Sequence, residues 1–218
     1  MPRQWKNTKP LIYVFCEGES EQAYTDFLKM KFQDVAIIKR PSATGLFDEA
    51  DNLFKKNIKY KNSAEVTDEI WFFFDVETKD IDKWQQRLKI INRLRKLRKK
   101  PNIRVRLLMT TGCIEYWMML HYKMYTPPLQ TVAEKERVIA ELKAKEPTYV
   151  KGNQAATFKI AENYPTAMKH AERTVKNLLQ DGLPGHDDTD VRNQWLCTQC
   201  KTFSNVYEAI NYLEGLNV

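Results

Sequence analysis

Four short apolar runs punctuate the first half of the chain, and none shows clean alternation. They are "LIYVFC" (residues 11–16), "VAIIKR" (35–40, closed by Pro41-Ser42), "EIWFFFDVE" (69–77) and "IRVRLLMTT" (103–111). Continuous apolar runs of this length predict strands covered on both faces. Between them, apolar residues fall at helical spacing: Tyr24, Phe27 and Leu28, then Leu46, Phe47, Leu53, Phe54 and Ile58, then Trp84, Leu88, Ile91, Leu94 and Leu97. "CIEYWMMLHY" (113–122) starts another helix. Strand and helix in alternation imply right-handed crossovers. The expected fold is α/β, a mainly parallel four-stranded sheet flanked by helices.

Beyond Pro127-Pro128 the pattern turns helical, over 132–145, 157–179 (interrupted near Pro165) and 206–213, with the loop "DGLPGHDDTD" before the last. Residues 1–125 are therefore expected to form the α/β unit, and 126–218 a helical C-terminal extension packed on it.

Composition narrows the class. Seven glycines in 218 residues argue against a turn-rich all-β fold. No apolar run reaches the ~20 residues that span a bilayer, and the first residues lack the apolar core of a secretory leader. A cytoplasmic protein without membrane association is expected. The net charge of +7 is unevenly placed: residues 81–106 hold eleven Lys/Arg against one acid, Asp82. That segment reads either as a phosphate-binding surface, with Arg87, Arg93, Lys96, Lys99 and Lys100 as contacts, or as a solvated helix face. Cys197 and Cys200 have zinc-knuckle spacing without a second half, so reduced thiols are expected there in preference to zinc.

The chemistry sits where strands end. In an open parallel sheet, ligands bind outside the carboxyl ends of the strands. The first strand is followed by Glu17 and, one helical turn on, Glu21; the third ends in Asp75 and Glu77; the fourth is followed by Glu115. Asp75 and Glu77 share a side if that strand continues far enough. Five carboxylates on one edge repel unless cations join them, and hard oxygen donors suit Mg2+ or Mn2+. Glu19 reads instead as a residue favouring a helix N-terminus.

These motifs carry a resemblance. "CEGESE", "FFFDVE" and "CIEYWMMLHY", in that order, resemble the RloB family of Toprim-like proteins, related to the overcoming-lysogenisation-defect nucleases. The resemblance implies a metal-dependent nuclease acting on RNA or DNA with two Mg2+ or Mn2+ ions. It implies Glu17 as general acid/base, Glu17 with Glu21, Asp75 with Glu77, and Glu115 as metal ligands, and Lys151 as the lysine that stabilises developing charge. It also implies prokaryotic antiviral defence beside an ABC/AAA-type ATPase, since this chain holds no Gly-Lys-Ser/Thr motif of its own. A homodimer is left open. One departure is plain: Glu77 stands where the family carries a second aspartate. That keeps a second reading in play, a Toprim-fold adaptor, weakly active or inactive, that binds an ATPase or nucleic acid.

Overall fold

The computed structural model describes residues 9–98 and 100–217. In chain order these form β1 (Leu11–Cys16), α1 (Glu19–Lys31), β2 (Ile37–Lys39), α2 (Phe47–Lys56), α3 (Ile58–Ser63), β3 (Thr67–Val76), α4 (Trp84–Arg95), β4 (Arg104–Thr111) and α5 (Ile114–Leu120). The second half adds α6 (Val132–Lys145), α7 (Gln154–Ala161), α8 (Tyr164–Asn177), α9 (Asp190–Thr198) and α10 (Val206–Gly215).

The four strands form one sheet in the order β2-β1-β3-β4, every neighbouring pair parallel. The central strand β3 explains its own composition. Its Phe72 and Phe74 meet Phe47 of α2 on one face, while Phe73 meets Tyr24 of α1 on the other. Trp71, on the Phe73 side, meets Tyr212 of α10. With both faces covered no position is left for water, so the strand reads as an unbroken apolar run. Burial of each such ring contributes about 2 kcal/mol.

The helical second half packs on this sheet. Phe158 of α7 and Tyr164 of α8 meet Phe27 of α1, and the buried residues of both halves make one continuous apolar cluster. Residues 203–205 run antiparallel along the outer edge of β4. Thr111 N–H donates to the Phe203 carbonyl at 3.0 Å, and Asn205 N–H to the Met109 carbonyl at 3.0 Å. The Asn205 side chain completes the ladder, accepting from Met109 N–H at 2.6 Å and donating to the Leu107 carbonyl at 2.9 Å. One outer edge of the sheet is thus closed. The other edge is β2, which among the described residues pairs with β1 alone.

Several expected boundaries move. The helix expected over 46–58 breaks at Asn57, whose side chain accepts from Lys59 N–H and starts α3. The strand expected over 35–40 keeps three residues, because β2 has a single neighbour. The helix α9 was not expected from the sequence. No described helix is long and apolar enough to cross a membrane.

A carboxylate cleft at the strand ends

Strand register builds the site. Cys16, the last residue of β1, lies opposite Phe73, so β3 runs on past its neighbour through Phe74, Asp75 and Val76. Glu17 turns into the space this leaves. Its N–H donates to the Phe73 carbonyl at 3.0 Å and its carboxylate accepts from Asp75 N–H at 2.9 Å. Alternation along β3 puts Asp75 on the same face as Phe73, the face that α1 and α5 cover. Those helices add Glu21 and Glu115. Glu17, Glu21, Asp75, Glu115 and Lys151 line one cleft of about 260 Å3.

Glycine makes room for one of the acids. A Cβ on Gly18 would stand 2.9 Å from Glu21 Oε2. The loop that carries Lys151 is fastened from below. Ser20 Oγ accepts from Gly152 N–H at 3.1 Å and lies 3.5 Å from the Tyr149 hydroxyl, which donates to Glu115 Oε1 at 2.9 Å. Gly152 has φ of +75°, and a Cβ there would meet Glu19 at 2.9 Å. Lys151 Nζ reaches to 3.7 Å from the same Glu115 oxygen.

The electrostatics are unbalanced. Burial, with Glu17 and Glu115 nearby, raises the Glu21 carboxyl from its ordinary 4.5 to about 7. Burial and then the charges of Glu21, Glu17 and Glu115 push Asp75 well above the carboxylate range. Asp75 Oδ1 and Glu115 Oε2 are shut off from solvent without a hydrogen-bond partner. Lys151, mostly exposed, is a weak counterweight.

This donor set fits a divalent cation: hard oxygens, two of them buried and unpartnered. Among the described residues no three acid, histidine or cysteine side chains are already drawn tightly enough to cage an ion.

Glu77 departs from the expected grouping. Strand β3 stops at Val76, and Glu77 instead caps a 3-10 turn (Thr78–Lys83) reciprocally with Asp80. Its carboxylate is held by Lys135 and Lys79, whose hydrogen bonds lower its pKa against the opposing effect of burial. It lines a separate hollow beside Lys135, not the cleft.

The basic segment also rearranges. Arg87 is mostly buried, donating to Asp80 at 2.8 Å and lying over the Phe47 and Phe74 rings. Arg93 pairs with Asp51 at 2.7 Å. Lys83, Arg95, Arg98, Arg104 and Arg106 pair with Asp80, Asp190, Asp68, Asp188 and Glu69. Seven of the eleven cations therefore answer acids distant in sequence or on the adjacent turn. Lys96 and Lys100 are exposed, and Lys99 lies outside the described residues.

His121 lies in the core. Its Nδ1 is 3.0 Å from the Trp117 carbonyl, which only accepts, so Nδ1 carries the proton and Nε2 accepts from the Tyr24 hydroxyl at 3.1 Å. Cys197 is buried with its thiol 3.4 Å from Met109 Sδ, and Cys200 is half-buried. Tyr149 and Ser20 are site residues that the sequence reading missed. Tyr149 meets its acid 34 residues away, and no local spacing announces such a pair.

These features define an all-parallel α/β protein with a carboxylate-lined cleft at the carboxyl ends of its strands. The family model described as RloB-like protein matches residues 12–213, and the chain belongs to that family. No curated protein matches it.

Proposed function

We propose that the chain is a divalent-cation-dependent hydrolase of nucleic-acid phosphodiesters, as its resemblance to Toprim-type nucleases implies. The observation that carries the reading is the meeting of Glu17, Glu21, Asp75 and Glu115 in one cleft, with two buried carboxylate oxygens left unpartnered.

Glu17, Glu21, Asp75 and Glu115 would hold Mg2+ or Mn2+. Such ions supply positive charge to a phosphate and acidity to an attacking water. Glu17, the most exposed of the acids, accepts the proton of that water, and its carboxylate is oriented by Asp75 N–H. Lys151 Nζ, at the rim, meets negative charge that grows on the phosphate oxygens. Tyr149 fixes one oxygen of Glu115 and so turns the other into the cleft. The biological setting that goes with this chemistry is prokaryotic antiviral defence beside an ABC/AAA-type ATPase.

A second reading, a catalytically silent adaptor for an ATPase or nucleic acid, is favoured by the diversion of Glu77 to Lys135 and Lys79. Cleavage of labelled tRNA, single-stranded and duplex substrates in Mg2+ or Mn2+ separates the two. Hydrolysis requires that Glu17→Ala and Asp75→Ala each lower the rate by about a hundredfold or more while the fold survives. Equal cleavage by wild type and both variants assigns the activity to a contaminant and leaves the adaptor.

A further inference from the structure

Besides the exposed Lys89, Lys96 and Lys100 of the basic segment, a second group of cations lies elsewhere. Lys29 of α1, Lys39 of β2 and Lys59 of α3 line a groove of about 310 Å3 at the open edge of the sheet. It adjoins a larger cavity of about 760 Å3, with which it shares Asp26, Lys29 and Arg40. Among the described residues Asp26 is the one acid lining either, and Arg40 neutralises it through two bonds of 2.9 and 2.8 Å. None of Lys29, Lys39 and Lys59 meets a carboxylate of the described residues; Lys39 lies 6.0 Å over the Tyr13 ring. The larger cavity is floored by apolar side chains, with Met30 44% and Ile37 45% exposed beside Phe158.

Free cations beside exposed apolar surface suit one occupant above others. A single nucleic-acid strand presents phosphates to the lysines and unstacked bases to the floor. A duplex keeps its bases stacked and would leave Ile37 and Met30 uncovered. The groove also leads somewhere. Gln22, Asp26 and Lys29 share one face of α1, and Gln22 directly follows Glu21 of the cleft. The eight residues from Glu21 to Lys29 span about 12 Å at 1.5 Å each. The connecting loop is pinned along the way: Gln22 Nε2 donates to the Ser42 carbonyl at 3.3 Å, and Gly45 N–H to the Cys16 carbonyl at 2.9 Å, next to Glu17.

We propose that the groove along β2 binds single-stranded nucleic acid, phosphates on Lys29, Lys39 and Lys59 and bases against Ile37 and Met30, and leads the strand to the carboxylate cleft. Binding stands whether or not the cleft cuts; delivery rests on the hydrolytic reading.

The test is fluorescence anisotropy of a labelled 12-nucleotide oligo(U) in EDTA, where no metal-dependent cleavage occurs. Lys39→Glu/Lys59→Glu should weaken binding about tenfold and flatten its salt dependence by about two phosphate contacts. Ile37→Ser should weaken it several-fold at unchanged salt slope. Lys143→Glu/Lys145→Glu, the same charge change on exposed residues of α6, should stay within twofold. Equal loss in both double variants, loss only on reversing Lys96 and Lys100, or no binding by wild type overturns the assignment. So does tighter binding of a duplex, or displacement of oligo(U) by an equimolar Glu-rich 12-mer peptide. In Mg2+, a wild type that cuts while Lys39→Glu/Lys59→Glu cuts with unchanged KM sinks the groove and spares hydrolysis. Groove-dependent binding without any cutting spares the groove and sinks hydrolysis.

Discussion

Glu17 and Asp75, 58 residues apart, are joined by a 2.9 Å hydrogen bond from the backbone N–H of one to the carboxylate of the other. The contact exists because β3 outruns β1 at the carboxyl edge of the sheet. Both side chains line one cleft with Glu21 and Glu115.

That crowding makes metal and pH act on stability together. The folded Glu21 carboxyl, at about 7, lies above its ordinary 4.5. A raised folded pKa contributes stability that is fully present below 4.5 and lost as pH rises through 7. In EDTA at pH 8, Glu21→Gln should therefore be more stable than wild type by about 1–3 kcal/mol, and at pH 4 no more stable. Mn2+ should raise the wild-type Tm, and raise it less than half as much in Glu21→Gln and Asp75→Asn. Glu77→Gln should keep the full rise, because Lys135 and Lys79 already hold that carboxylate. An undiminished Mn2+ shift in Asp75→Asn, read by differential scanning fluorimetry, would remove the cleft from the metal chemistry.

His121 works in the opposite sense. Burial lowers its imidazole from 6.5 to about 4, so its contribution is present above 6.5 and lost as pH falls toward 4. The loss reaches up to about 3 kcal/mol. Over much of the same range Glu21 gains what His121 loses, so the wild-type profile should be flat and single variants should expose the two limbs. His121→Gln should lower Tm at pH 7 yet gain stability between pH 7 and pH 4.5, where wild type stays level. A variant profile as level as that of wild type in thermal melts would show that this imidazole does not set the acid limb.

Asn205 takes the place of a fifth strand at the edge of β4. Asn205→Ala would strand Met109 N–H and the Leu107 carbonyl, both without access to water, and should cost about 2–4 kcal/mol in urea unfolding. Asn205→Asp should cost at least as much near neutral pH, since a carboxylate would face the Leu107 carbonyl. A loss under about 0.5 kcal/mol would mean that the Asn205 side chain does not hold this edge.

The strands were legible because burial on both faces writes itself as an unbroken apolar run, as in "LIYVFC" and "EIWFFFDV". Helix α9 was hidden because Asp190–Thr198 shows little apolar periodicity and follows a loop rich in Gly and Asp. Its best signal was Thr189, which accepts from Arg192 N–H as a cap. The cleft acids could be read from their places after strands. Glu77 could not, since its direction depends on the single residue at which β3 stops. The partners of the basic helix were hidden for a related reason. Charge in a sequence shows no partners, and Asp51, Asp68, Asp188 and Asp190 come to it only through folding.

Ser20 and Gly152, in contact at 3.1 Å, stand 132 residues apart. The loop bearing Lys151 therefore settles on α1 only after the sheet and most of the chain have been made. A nascent polypeptide stopped short of that loop would lack both Lys151 and the Tyr149 hydroxyl that holds Glu115. Lys151 and Tyr149 thus join the cleft later in synthesis than Glu17, Glu21, Asp75 and Glu115, all of which lie in the first 115 residues.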